Sequence, residues 1–412
     1  MQIPQHTLDN GLRVTHYRFP GSHFAVVDVL YDVGSRDESA ELTGLAHLFE
    51  HLMFGGTPAV PQFDRELSRA GGVDNAWTSP DYTNYYDIVP VQNIETALWL
   101  ESDRMRGLAF TPESLEVQRR VVIEEFKQRY LNQPYGDVMH LIYGSVFTVH
   151  PYRWPTIGLD VGHIEGVTME QVKHFFYSHY APNNAVLAIV ADIDSEELFA
   201  LVEKWFADVP SQAIKPRSLP AEPEQTAPRR VEVERPVPHS AIIKAYRMCG
   251  CYHPDFYAYD MLTDVLSNGN SSRFYVEVMS KGRAFLQLDA SVTASVDPGL
   301  LLISGFMKPG TSFEEAEAVI DEQIEKLFND GVTAAEIEKC ANKFQMRESM
   351  EMMAAREAAV KVAKAVLNGK TDTLGTEHTL MRRLTPGDVV ASARKALIPS
   401  NCTTILYRGT AL

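Results

Sequence analysis

Apolar residues in this chain recur with two different periods, and the changeovers between them mark out its elements. Runs of β-branched and aromatic residues at 24–33, 185–193, 242–248 and 403–407 predict strands, and two more at 73–79 and 83–89 predict a hairpin. Leu45, Leu48, Leu52 and Phe54 recur at helical spacing, which predicts a helix over 42–54, stopped by Gly55-Gly56. A second helix opens on Thr111 as N-cap, Pro112 in the first helical position and Glu113 in the first turn, and runs to Phe126. Residues 313–329 and 335–367 read as long helices, the latter unbroken, and Cys249 and Cys251 read as part of a strand. The periodicity lapses from Val209 to Pro228, where Pro210, Pro216, Pro220, Pro223 and Pro228 fall among charged and small residues. That predicts a domain over 1–209, a Pro-rich linker over 210–228 and a second domain over 229–412, each α+β with helices on a sheet.

The first predicted helix contains His47, Glu50 and His51 in the order His-x-x-Glu-His, the inverted zinc-protease motif. Residues four apart share a helix face, so the two imidazoles can meet one metal ion while Glu50 stands beside them as a base. The competing reading is a pair of hydrogen-bonded core histidines. It has to explain why two histidines and a carboxylate would be buried together on a helix that binds nothing.

A catalytic zinc keeps three protein ligands and an open position, so a third ligand has to come from elsewhere. The candidates are the adjacent Glu124 and Glu125 on the second helix, about 100° apart in direction at 3.6 residues per turn. Glu125 groups with Gln118, Val121 and Val122 on the inward side, and Glu124 follows Arg120 toward solvent, so Glu125 is preferred and Glu124 is the alternative.

At this point the chain resembles the pitrilysin/insulinase-type zinc metallopeptidases, which include the mitochondrial processing peptidases. The resemblance spans essentially the whole chain, through 8–14, 33–38, 44–56, Gly72-Val73-Asp74-Asn75-Ala76-Trp77-Thr78, 121–125 and His150-Pro151-Tyr152 with Gly158. It implies a clamshell of two homologous domains, each a mainly antiparallel sheet packed on helices, around a chamber. It also implies one Zn2+ per chain held by His47, His51 and Glu125, with Glu50 as general base. The family places a further glutamate seven positions before the metal-binding one, and here that position is Gln118, whose neutral amide can hydrogen-bond a metal ligand but supplies no negative charge. Asn75 and Ala76 would contact the backbone of an extended peptide added to an edge strand, and Trp77 would wall the pocket following the cut bond; the alternative for Trp77 is core packing.

The halves read as copies of one unit. Aligning Gly269 with Gly55 sets Met261 opposite His47, Asp264 opposite Glu50 and Val265 opposite His51, so the second copy has lost the metal ligands. Self-sufficient relatives carry an arginine in the second half and a tyrosine seven positions later. Here those places fall on Val278 with Phe285, or Met279 with Leu286. The resemblance therefore implies the metal-bearing subunit of a heterodimer whose partner supplies that pair. A homodimer using Arg273, Arg283 or Tyr275 is one alternative, and a non-catalytic structural or assembly subunit is the other.

Composition narrows this further. The net charge of −16, from 54 acidic and 38 basic residues, disfavours nucleic acid and anionic membranes as partners, and the resemblance implies a peptide substrate. Cys249, Cys251, Cys340 and Cys402 lack metal-ligand spacing and read as plain buried thiols. No apolar run approaches the roughly 18 residues of a membrane span. The start, Met1-Gln2-Ile3-Pro4-Gln5, lacks signal-peptide features, which makes the cytoplasm the default and leaves a mature periplasmic or mitochondrial form compatible.

Overall fold

Backbone pairing sorts the strands into two sheets built to one plan. In this computed structural model residues 3–410 are described; Met1 and Gln2, on which part of the targeting argument rests, lie outside them. The first sheet contains β1 (Gln5–Thr7), β2 (Arg13–Arg18), β3 (Phe24–Tyr31), β4 (Val73–Thr78), β5 (Thr83–Pro90) and β6 (Ala185–Ala191), in the order β1-β2-β6-β3-β5-β4. The second contains β7 (Arg229–Arg235), β8 (Ala241–Arg247), β9 (Phe285–Val292), β10 (Leu300–Met307) and β11 (Cys402–Gly409), in the order β7-β11-β8-β10-β9. Every neighbouring pair is antiparallel except β2 with β6 and β7 with β11. The fold class is α+β, as the alternation of apolar residues predicts.

Among the helices, α1 (Leu45–Leu52), α2 (Ile94–Arg106), α3 (Pro112–Phe126) and α4 (Val138–Val146) come from the first half of the chain. From the second come α5 (Phe256–Ser267), α6 (Ala334–Met353) and α7 (Ala355–Leu367). The predicted 335–367 helix is thus two helices, interrupted where Ala354 turns to extended backbone at φ −100°, ψ 112°. No proline or glycine marks the break. It comes just after the chain leaves one compact unit for the other, between Glu348 and Ser349. Cys249 and Cys251 lie past the end of β8, in a loop rather than a strand, because pairing with β10 and β11 ends by Arg247.

The two compact units are not contiguous halves. The first comprises the residues up to Leu131, His150–Pro220 and Ser349–Gly375; the second comprises Asn132–Val149, Ala221–Glu348 and the residues from Thr376 on. Each sheet is covered on one face by a helix from the other half of the sequence: α7 packs on β2, β3 and β6, and α4 packs on β8 and β11. Alanines 358, 359 and 363 of α7 are fully buried, and their small side chains let the helix backbone lie close to the sheet. On the opposite face of the first sheet, Val27, Val29 and Tyr31 join Leu48, Phe49 and Tyr180 in a core that backs α1.

Candidate metal centre

Helix α1 is short, and its start is fixed by a buried carboxyl group and by a glycine. Gly44 sits at φ +86°, and a Cβ there would fall 2.6 Å from the Ile157 carbonyl oxygen, so glycine is required. The Glu38 carboxylate accepts hydrogen bonds from the backbone N–H groups of Gly44 (2.9 Å) and Ala46 (2.7 Å), satisfying donors that an α-helix leaves free at its start. Leu45, Ala46, Leu48, Phe49 and Leu52 are buried, and His47, Glu50 and His51 occupy the remaining face. The imidazole rings of His47 and His51 stand edge to face, their centroids 4.9 Å apart.

Helix α3 brings the third group. Thr111 Oγ1 accepts from the Ser114 N–H at 3.1 Å, and Pro112 takes the first helical position, as the sequence indicates. Leu115, Val122 and Phe126 face inward; Val121, expected with them, is 45% exposed. Glu125 lies at the border of that face, with Oε2 3.7 Å from His47 Nε2 and 3.4 Å from His51 Nε2. Glu124 turns to solvent and pairs with Lys127 at 2.7 Å. One ligand atom from each of His47, His51 and Glu125 lies within 4.8 Å of the others, so the three converge on one point. Two imidazole nitrogens and one carboxylate oxygen are a donor set that a catalytic zinc takes.

The electrostatics suit a cation. Burial, reinforced by neighbouring His51, pushes the His47 imidazole down to about 4, which leaves it neutral at physiological pH. The hydrogen bond from His51 holds the Glu125 carboxyl below its ordinary range. Glu50, beside the triad, is pushed up by burial, an effect partly offset by the Thr78 hydroxyl, which donates to its Oε2 at 2.5 Å. Neither Glu38 nor Thr78 is visible as a functional residue from sequence spacing, because both act across the fold. Gln118 makes no hydrogen bond to His47, His51 or Glu125 among the described residues, and His47 Nδ1 is buried without a partner.

The hairpin predicted at 73–89 forms β4 and β5, and β4 is the outermost strand of the first sheet, with one edge unpaired among the described residues. Asn75 pairs in register with Tyr86, Ala76 with Tyr85 and Trp77 with Asn84. Asn75 is exposed, and its Oδ1 accepts from the Ala76 N–H at 2.8 Å. Trp77 is half-buried, with Lys364 Nζ of α7 4.9 Å from its ring centroid. Since β4 ends at Thr78, the strand that presents its edge also delivers the hydroxyl to Glu50.

Residues 13–143 match the profile of the insulinase family, peptidase family M16, and residues 166–344 match that of the M16 inactive domain. The chain belongs to the insulinase-type M16 peptidase family. It is 31% identical over 346 residues to the zinc protease PqqE of Helicobacter pylori, covering 82% of this chain and 78% of that protein. An uncharacterized zinc protease of Mycobacterium tuberculosis is 29% identical over 403 residues, covering 95% of this chain and 90% of the relative. Among solved structures, a protease from Helicobacter pylori matches with a TM-score of 0.92 at 27% identity, covering 99% of each chain. The first half of the periplasmic protease PqqL of Escherichia coli shares the fold, with a TM-score of 0.82 at 20% identity, over 99% of this chain and 92% of that one. No helix among the described residues is long and apolar enough to cross a membrane.

Proposed function

We propose that this chain is a zinc-dependent endopeptidase acting on short or unfolded peptides, and that it is the metal-bearing subunit of a heterodimer. The observation that carries the first part is the convergence of His47, His51 and Glu125 within 4.8 Å, with Glu50 on the same short helix. His47, His51 and Glu125 would hold zinc, which when bound would supply the Lewis acidity that activates water near neutral pH and polarises a peptide carbonyl. Glu50 accepts the proton of the attacking water and returns it to the leaving amine. Its raised pKa suits both transfers, and the Thr78 hydroxyl engages one carboxylate oxygen, which leaves the other to take the proton. An extended peptide pairs along the free edge of β4 through its backbone, which gives affinity with little demand on sequence. For Ala76 to offer its N–H, the Asn75 side chain has to swing away from it.

The second part rests on what stands where an oxyanion-stabilising pair would be. Val278 and Phe285 are buried in the core of the second unit, and Met279 and Leu286 offer no donor. The ion pairs of the second unit already engage the two arginines of the homodimer alternative, while Tyr275 is 41% exposed. Arg273 is committed to Glu336 at 2.7 Å and to the Gly331 carbonyl, and Arg283 is committed to Glu322. The likeness of residues 166–344 to the inactive domain fits a second half that holds no metal. A purely structural role would leave Glu50 and its hydroxyl partner without a task.

The test is hydrolysis of a mixed peptide library by the zinc-loaded chain, alone and with a homologous subunit bearing the arginine and tyrosine, with Glu50→Gln as control. Activity only in the mixture, lost in the control, supports the heterodimer. Full activity of the chain alone refutes the division of labour, and no activity in either with zinc bound refutes the peptidase.

A further inference from the structure

The two oxygens of Glu125 have different neighbours. Oε2 faces both histidines, at 3.7 and 3.4 Å, whereas Oε1 lies 3.0 Å from the Arg129 guanidinium. Arg129 is carried by a single π-helical turn, Lys127–Leu131, that continues α3 two residues past Glu125. Such turns are rare and recur at functional sites. The Arg129 side chain is 68% exposed and that of Glu125 18% exposed, so the arginine reaches inward from solvent to meet the carboxylate. As a contribution to folding, an ion pair this open is weak. The nearby Lys127 is engaged with Glu124, and Arg129 is the one arginine or lysine paired with Glu125 among the described residues.

What the contact fixes is the mode of ligation. A carboxylate with both oxygens free can close on a metal through both, and in a site with two imidazoles the second oxygen fills the position a catalytic centre leaves open for water. We propose that Arg129 is a positioning residue that holds Oε1 of Glu125 away from the metal, so that Glu125 ligates through Oε2 alone and one coordination position beside Glu50 stays open. This deepens the metal-site reading above and rests on it. The arginine acts on Glu125 and does not itself touch the reacting atoms.

The experiment loads the full chain with Co2+ and records its visible spectrum, with and without azide as a small probe of the open position. Wild type, Arg129→Met, Arg129→Lys and His51→Ala are compared. The expected result is an intense four-coordinate spectrum that shifts on adding azide in the wild type. Arg129→Met should give a weaker, higher-coordinate spectrum and an azide affinity lower by about 10–100-fold, the size of effect that losing a ligand's hydrogen-bond partner has on metal affinity or activity. Arg129→Lys should restore most of both, since a lysine keeps the charge, and equal melting of the metal-free proteins rules out misfolding. An Arg129→Met spectrum and azide response identical to wild type would overturn the clamp, even if peptide hydrolysis fell. A wild-type chain that binds no Co2+, or binds it as well after His51→Ala, would overturn the metal-site reading and the clamp with it.

Discussion

The two units of this protein repeat one strand order around two helices that do opposite things. In the first, β3 leads to α1, whose outward face carries His47, Glu50 and His51; in the second, β8 leads to α5, where Met261 and Val265 are fully buried and Asp264 nearly so. The register makes the pairing of β3 with β8 concrete. Tyr31 faces Ala185, the first residue of β6, and Tyr246 faces Cys402, the first residue of β11. Counting back from those tyrosines, Val27 corresponds to Ile242, both in their cores, while Asp28 corresponds to Ile243 on the other face. The difference teaches where polar groups are tolerated. The second unit spends its helix on packing, and the first carries carboxylates and imidazoles at the same level of the fold.

The largest separation between the copies is chemical. Glu50→Gln should lower peptide hydrolysis by about 10²–10⁴, the range general acid–base catalysis contributes, while zinc content measured by atomic absorption stays at one per chain. Asp264→Asn, at the aligned position of α5, should leave turnover per folded molecule unchanged. Equal losses from the two substitutions would dissolve the distinction between a working and a packing helix.

Stability should show the reverse asymmetry. Met261 is fully buried in the second core, so Met261→Ala should cost about 2–5 kcal/mol through lost burial and the cavity left behind, read as a fall in the denaturant midpoint. His47 is also mostly buried, but its Nδ1 has no partner among the described residues, so His47→Leu should leave the metal-free protein as stable as wild type or more so while abolishing zinc loading. A metal-free His47→Leu protein destabilised as much as Met261→Ala would mean that α1 is a packing helix too.

Asp28 sharpens the comparison through pH. It is fully buried between β5 and β6, accepts from Asn84 Nδ2 at 2.9 Å, and burial pushes its carboxyl up to about 8. The folded chain therefore keeps a proton that the unfolded chain releases near pH 4, so this contribution is complete below about pH 4, declines as pH rises, and is gone above about 8. Between pH 6 and 8 that amounts to a loss of about 2 kcal/mol, and Asp28→Asn should flatten the slope in urea titrations. No such term is available at Ile243. An unchanged slope in the variant would place the proton elsewhere.

How far all this was legible in the sequence depends on whether the deciding interaction is local. Helix α3 runs from Pro112 to Phe126 as Thr111, Pro112 and Glu113 announce, and the hairpin of β4 and β5 sits where alternation puts it, because caps and pleats are decided within a few residues. The break at Ala354 and the assignment of α4 and α7 to opposite units carry no local signal, since they are set by which sheet offers an uncovered face. The histidine pair and Glu125 could be nominated from helical spacing, but Val121 turned outward, since one helical wheel cannot say which flank of the face the rest of the fold covers. Glu38 and Thr78 escaped notice because each reaches its partner through the folded chain.

Thr78 supports the smallest and most discriminating test. Its hydroxyl ends the edge strand and donates to Glu50 Oε2 at 2.5 Å, so it links peptide alignment to the base. Removing the hydroxyl while keeping the shape, as in Thr78→Val, frees one carboxylate oxygen and removes an interaction that lowers the Glu50 pKa. A hydrogen bond to a charged group contributes about 1.5–3 kcal/mol, part of which water returns at this half-buried position, so turnover should fall by about tenfold, with zinc content unchanged. The base of the variant has a higher pKa, so the acid limb of its pH–rate profile should move to higher pH. Thr78→Ser keeps the donor and should restore both rate and profile. If Thr78→Val lost rate with the acid limb in place, the hydroxyl would be aligning the peptide rather than the base, and the link between β4 and α1 would run through the substrate instead of through Glu50.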